Sequence, residues 1–139
     1  MGRAGHPPWF IKVLHPPLVH FPIAFYFLEL VLLIFWMLRR DEACRRFALF
    51  SFRIGYLFMI AAMLAGYRDT GGWANITGSV RRHAVAALSV FAVYTVRAFL
   101  WRFVKEDQPF YRWIHLAGSL AGNVLVVLTG YLGGYLVFG

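Results

Sequence analysis

Four apolar stretches, Leu18–Leu38, Phe47–Tyr67, Ala84–Val104 and Phe110–Phe138, alternate with short polar connections along this chain of 139 residues. Each holds about 20 residues or more, and ~20 residues of α-helix rising 1.5 Å apiece cross a ~30 Å hydrocarbon layer. The pattern predicts an all-α polytopic membrane protein. A single bundle of four transmembrane helices takes up residues 1–139, with residues 1–16 as an external, interfacial arm carrying Trp9, Phe10, Ile11 and Lys12. His15-Pro16-Pro17 predicts an extended approach, because each proline restricts the residue before it, and the first helix is expected to begin between Pro17 and Pro22. The second is expected to end at Ala65-Gly66-Tyr67 and the third to begin near Arg82. No internal repeat stands out.

Composition strengthens this reading. Apolar residues make up 60% of the chain and charged residues 14%, too few charges to clothe a soluble exterior of this size. A lone Cys44 leaves no intramolecular disulfide, and no apolar core of a cleavable leader appears in Met1–Pro8. The net charge of +8 on a soluble domain would suggest nucleic acid. Here the cations cluster at helix ends and no nucleic-acid partner is expected. Arg39, Arg40, Arg45, Arg46, Arg102, Lys105 and Arg112 flank the first and third connections, against Arg3, Lys12, Arg68, Arg81 and Arg82 on the other side. The positive-inside rule then puts the first and third connections in the cytoplasm and both termini outside.

Ionisable residues inside the hydrocarbon are costly and point to function or to pairing. Glu29 and Arg53 fall at nearly the same depth in antiparallel neighbours, which predicts a buried Glu29–Arg53 pair tying helices 1 and 2 together. His15, His20 and His83 gather at the outer end, while His115 lies in helix 4 at a depth close to Arg97. Neutral imidazole is an axial ligand for haem iron and a ligand for zinc or copper. In helix 3 His83, Ala86, Ala87, Val90, Tyr94 and Arg97 share one face. Helix 4 has Gly118 and Gly122, with Gly130, Gly133 and Gly134 further on; helix 2 has Gly55, Ala61, Ala62, Ala65 and Gly66. Such small residues let helices approach closely or clear a slot for a flat cofactor. Arg81 and Arg82 adjoin His83, with Arg68 across the loop, in position for paired propionates. The chain has no CxxC, HExxH or P-loop, and no Ser/His/Asp order of a hydrolase.

Leu14-His15-Pro16-Pro17-Leu18-Val19-His20-Phe21-Pro22-Ile23-Ala24 resembles the opening of the DUF2231 family of small bacterial membrane proteins. Leu64-Ala65-Gly66-Tyr67-Arg68-Asp69, Arg82-His83-Ala84 and the Gly130–Phe138 segment fit the same layout. The resemblance covers essentially the whole chain and implies a four-helix membrane domain, in some members attached to Rieske-type or other redox modules. His15, His20 and His83 are the residues it carries over; His115 rests on the reading of the helices.

The expected function is a membrane b-type cytochrome-like subunit with non-covalent haem b near the outer face. His20 and His83 would ligate the iron, His15 would substitute for His20, and Arg81, Arg82 and His115 would complete the cofactor site. Such a subunit passes electrons between an external donor and a quinone pool or a membrane or periplasmic redox subunit, and is not a stand-alone enzyme. A second reading is a non-catalytic anchor or scaffold subunit of a larger complex. A third is a small-solute or ion conduit lined by Glu29, Arg53 and Asn123.

Overall fold

The computed structural model describes residues 15–138 and contains four long helices. They are α1 (His15–Arg39), α2 (Glu42–Thr70), α3 (Gly78–Phe103) and α4 (Tyr111–Phe138), with a 3-10 turn at Trp73–Asn75 before α3. All four are long and apolar enough to span a membrane. The arm expected before helix 1 falls largely at residues 1–14, outside the described residues.

The helices overrun the expected boundaries. α1 begins at His15, so Pro16 and Pro17 sit in its first turn, where a missing N–H leaves no hydrogen bond unmade. α2 continues past Gly66 to Thr70 and stops at Gly71, whose φ of 72° is the left-handed cap a glycine supplies most easily. Only Arg40 and Asp41 join α1 to α2. Arg40 takes the left-handed conformation with φ 54°, and the Asp41 carboxylate accepts from the N–H of Ala43 at 2.8 Å to start the next helix.

Short connections make successive helices antiparallel, so α1 and α3 run the same way. α1 packs most closely on α2 and α3 on α4; the backbones of the two hairpins come together along α1 and α4 and more loosely along α2 and α3, while α1 and α3 meet through their side chains across the axis. Within each hairpin the same contacts recur. The His15 ring lies where a Cβ on Gly66 would stand (2.9 Å), and the His83 ring holds the same place against Gly133 (3.0 Å). Three turns deeper, Tyr26 fills the space at Gly55 (2.9 Å) and Tyr94 that at Gly122 (2.7 Å).

These correspondences define a repeat. A shift of 68 positions carries α1 onto α3, taking His15 to His83, Tyr26 to Tyr94 and Glu29 to Arg97; a shift of 67 carries α2 onto α4, taking Gly55 to Gly122 and Gly66 to Gly133. All three α1/α3 pairs are in contact. The imidazole centres lie 6.4 Å apart, the phenol rings stack at 3.6 Å, and Glu29 bonds Arg97. A position that touches its own counterpart lies on a two-fold axis. The hairpins are thus parallel repeats about an axis along the bundle, the arrangement expected of duplicated units inserted in the same orientation. Cross-hairpin polar bonds follow suit: Tyr56 bonds the Thr95 hydroxyl at 2.8 Å, and its counterpart Asn123 donates to the carbonyl of Tyr26 at 3.2 Å.

Gly55, Gly66, Gly122 and Gly133 therefore seat side chains of the bundle's own helices. Adding a methyl at Gly122 forces the Tyr94 ring from its stack, and Gly122→Ala is expected to cost about 1–3 kcal/mol by overpacking. Gly130, which faces open space, should tolerate alanine and gain up to roughly 1 kcal/mol from helix propensity. Thermal unfolding of the two variants in detergent checks this; equal melting temperatures contradict the assignment of Gly122 as a seat.

Candidate functional site

Polar residues line the axis from one end of the bundle to the other. At the end bearing the starts of α1 and α3, His15 Nδ1 lies 2.9 Å from the carbonyl of Ala62 and His83 Nδ1 lies 3.1 Å from that of Thr129. A carbonyl only accepts, so each Nδ1 carries a proton, and in the neutral tautomer this selects Nε2 holds the lone pair. Ala62 and Thr129 are counterparts in the repeat, each four residues before the glycine that seats the ring.

His20 is not part of this pair. It is exposed on the far side of α1, its Nδ1 2.7 Å from the carbonyl of Pro16. The residue paired with His83 is His15, held there because α1 extends back to include it. Arg81, Arg82 and Arg68 lie at the same end of the bundle, and Arg82 donates to the hydroxyl of Ser79 at 3.0 Å.

Below the stacked tyrosines lies the buried ion pair. Glu29 is 0% exposed and Arg97 2%. The guanidinium reaches both carboxylate oxygens, at 2.5 and 3.0 Å, and Ser119 adds a third bond at 3.3 Å. Such bidentate geometry is the strong form of the interaction. Arg97 is also flanked by the rings of Phe52 and Tyr94, about 5 Å away.

This corrects the expected Glu29–Arg53 pair. Arg53 is exposed, because the inward stripe of α2 runs through Ala48, Phe52, Gly55, Met59 and Ala62 and leaves position 53 outside it. The conduit lined by Glu29, Arg53 and Asn123 fails for the same reason, although Asn123 does line the axis near Tyr26. Sequence reasoning missed Arg97 as the partner, yet its own stripe from His83 through Tyr94 to Arg97 marked the face that turns inward.

His115 is fully buried one layer further, stacked on Trp101 at 3.8 Å and edge-on to Tyr111 at 4.6 Å. Its backbone carbonyl accepts from Arg97 at 3.4 Å, and its ring lies far down the axis from His83. Neither of its ring nitrogens has a hydrogen-bond partner, nor do Arg97 Nε, Trp101 Nε1 and the Tyr94 hydroxyl. All these atoms belong to the second hairpin. At the arginine-rich end Arg45 bridges Glu42 and Glu106, tying the start of α2 to the third connection.

The family model DUF2231, described as a predicted membrane protein, matches residues 12–139. The chain belongs to this family of membrane proteins. No curated protein and no solved structure matches it.

Removing one member of the buried pair strands a charge inside the bundle, at a cost of about 3–5 kcal/mol. Glu29→Leu should therefore sharply lower the folded yield, and Glu29→Leu with Arg97→Leu should recover most of it. Because the two are counterparts, the exchange Glu29→Arg with Arg97→Glu should also recover folding. Arg53→Leu should have no rescuing effect on Glu29→Leu. Monodisperse yield from membranes reads all four; rescue by Arg53→Leu speaks against the Arg97 pairing.

Proposed function

We propose that this chain is a membrane b-type cytochrome-like electron-transfer subunit, with haem b ligated by His15 and His83. The observation that carries the reading is the matched pair of imidazoles on the axis. Each donates Nδ1–H to a backbone carbonyl, the outer hydrogen bond that fixes ring and tautomer in metal-ligating histidines. Two imidazole nitrogens at about 2.0–2.1 Å from one metal put their ring centres roughly 6 Å apart, and here they are 6.4 Å apart. Among the described residues no cluster of three or more His, Cys, Asp or Glu side chains forms. Two protein ligands suit haem, whose macrocycle supplies the other four, better than tetrahedral zinc.

Haem bound there supplies one-electron Fe(III)/Fe(II) chemistry. The chain's own part is to hold the ligands. The carbonyls of Ala62 and Thr129 set the ring orientation, Gly66 and Gly133 make room behind the rings, and Arg68, Arg81 and Arg82 offer cations for the propionates. The reading puts the arginine-rich end in the cytoplasm of a bacterial cell and both termini outside, so that the site meets an external donor. Electrons then pass to a quinone pool or to a partner redox subunit. An exposed Arg53 within a spanning helix supports a partner in the membrane, since a cation in hydrocarbon seeks a counter-charge. That same residue supports the second reading, a non-catalytic anchor subunit.

The absorption spectrum of the purified protein tests the proposal. The expected result is a Soret band and, on reduction, the α and β bands of low-spin haem. His15→Ala and His83→Ala should each abolish the low-spin form, and His20→Ala should leave it. A haem-free protein after expression with ample haem supply overturns the reading. Loss in His20→Ala with retention in His15→Ala overturns the ligand pair.

A further inference from the structure

The two hairpins differ most where they face the lipid at the depth of the ion pair. Between α3 and α4 lies a cleft of about 490 Å³, open to the bilayer and floored by Arg97 and Gly118. The repeat explains why it exists in one half. Phe25 in the first hairpin stands where Val93 does in the second, Phe50 where Ala117 does, Ser51 where Gly118 does, and Ile54 where Ala121 does. Each exchange removes volume, and each of these second-hairpin residues lines the cleft. The first copy carries larger side chains at these positions, and the second is hollow there.

At the floor of the hollow a donor has no acceptor. Arg97 is 2% exposed and its Nε–H is unbonded. Nε sits 3.1 Å from the point where a Cβ on Gly118 would stand, so any larger residue there would press on the guanidinium. The terminal nitrogens of Arg97 are committed to Glu29. The pair's charges cancel, and an anionic head group brought to this depth would be left uncompensated. A neutral carbonyl would not. An acyl chain has no acceptor to offer, and the carbonyls of a passing helix are already bonded within it.

We propose that the α3–α4 cleft binds a quinone, its ring between Val93, Ala117 and Ala121, one carbonyl accepting from Arg97 Nε, and its tail in the lipid. The volume is within the range of small-molecule pockets, roughly 300–1,000 Å³. The site gives the electron-transfer reading a position for its membrane-soluble partner. Its redox meaning rests on that reading, but the binding does not.

Decylubiquinone is the probe. It is titrated into the full chain in lipid nanodiscs, with quenching of tryptophan fluorescence corrected for partition into empty discs. Trp101 lies on the same helix, one residue beyond the cleft residue Leu100. The wild type should quench saturably. Ala117→Phe with Ala121→Ile, which introduces the side chains of the first hairpin, should weaken binding at least tenfold. Arg97→Lys keeps the charge for Glu29 but removes Nε–H, and should weaken it similarly. If the double variant fails to fold, Ala121→Ile alone and Arg97→Lys carry the test. Non-saturable quenching in the wild type overturns the proposal, as does unchanged binding in folded variants. A wild-type dimer that Ala121→Ile splits also overturns it, since a second copy then fills the cleft. Haem content is read from the same samples: saturable quinone binding without haem overturns the haem reading alone, and haem without saturable binding overturns the cleft alone.

Discussion

The bidentate bond between Glu29 and Arg97 is the constraint on which the bundle depends. Two charges withdrawn from water must find each other, because either one left alone in the apolar core costs more than most single contacts return. The bond fixes the relative depth and rotation of α1 and α3, and so sets the stacked tyrosines above it and the histidines above those. Ser119 draws α4 onto the same carboxylate, so three of the four helices are indexed by one side chain.

What surrounds that bond is a twofold plan carried by few identities. His, Tyr, Gly and Gly persist at counterpart positions, while most of the lipid-facing residues have diverged. The persistence has a steric cause. An aromatic ring buried between helices needs a glycine opposite it, and that pairing recurs at Gly55 and Gly122 for tyrosine and at Gly66 and Gly133 for histidine. On the axis itself identical residues meet only where two of a kind can touch favourably. Two phenol rings stack and two imidazoles lie edge to face, but two glutamates could not share the middle layer. One copy there carries a carboxylate and the other a guanidinium.

The spans were legible because hydropathy is summed over many residues and survives local error. The depth of Glu29 was legible for the same reason, since depth is only a count along a helix. Its partner was not, because Arg53 and Arg97 share that depth and differ in azimuth. Azimuth could have been read from the small and aromatic stripe through Ala48, Phe52 and Gly55, which excludes Arg53. The start of α1 was misjudged by reading Pro16 and Pro17 as a barrier to helix, when a first turn accepts both. That one turn decides whether His15 or His20 stands beside His83. The repeat was written in the chain as His-x10-Tyr followed by Gly-x10-Gly, twice over. Eleven residues make about three helical turns, so each spacing marks one face; with so few shared residues the signal is visible only once the pairs are seen to touch.

The loop of Gly71–Thr77 gains a meaning from the same plan. A hairpin of two spans leaves the membrane on the side where it entered. Two such units joined head to tail keep a common orientation whatever the charge of their joint, whereas a unit with an odd number of spans would be turned over by the same fusion. The stretch with Gly71, Gly72, the 3-10 turn and Gly78 joins two self-contained hairpins and is under no demand to cross the bilayer or to orient the second. The loose seam between α2 and α3 that it bridges is held side by side more by this covalent tether than by packing.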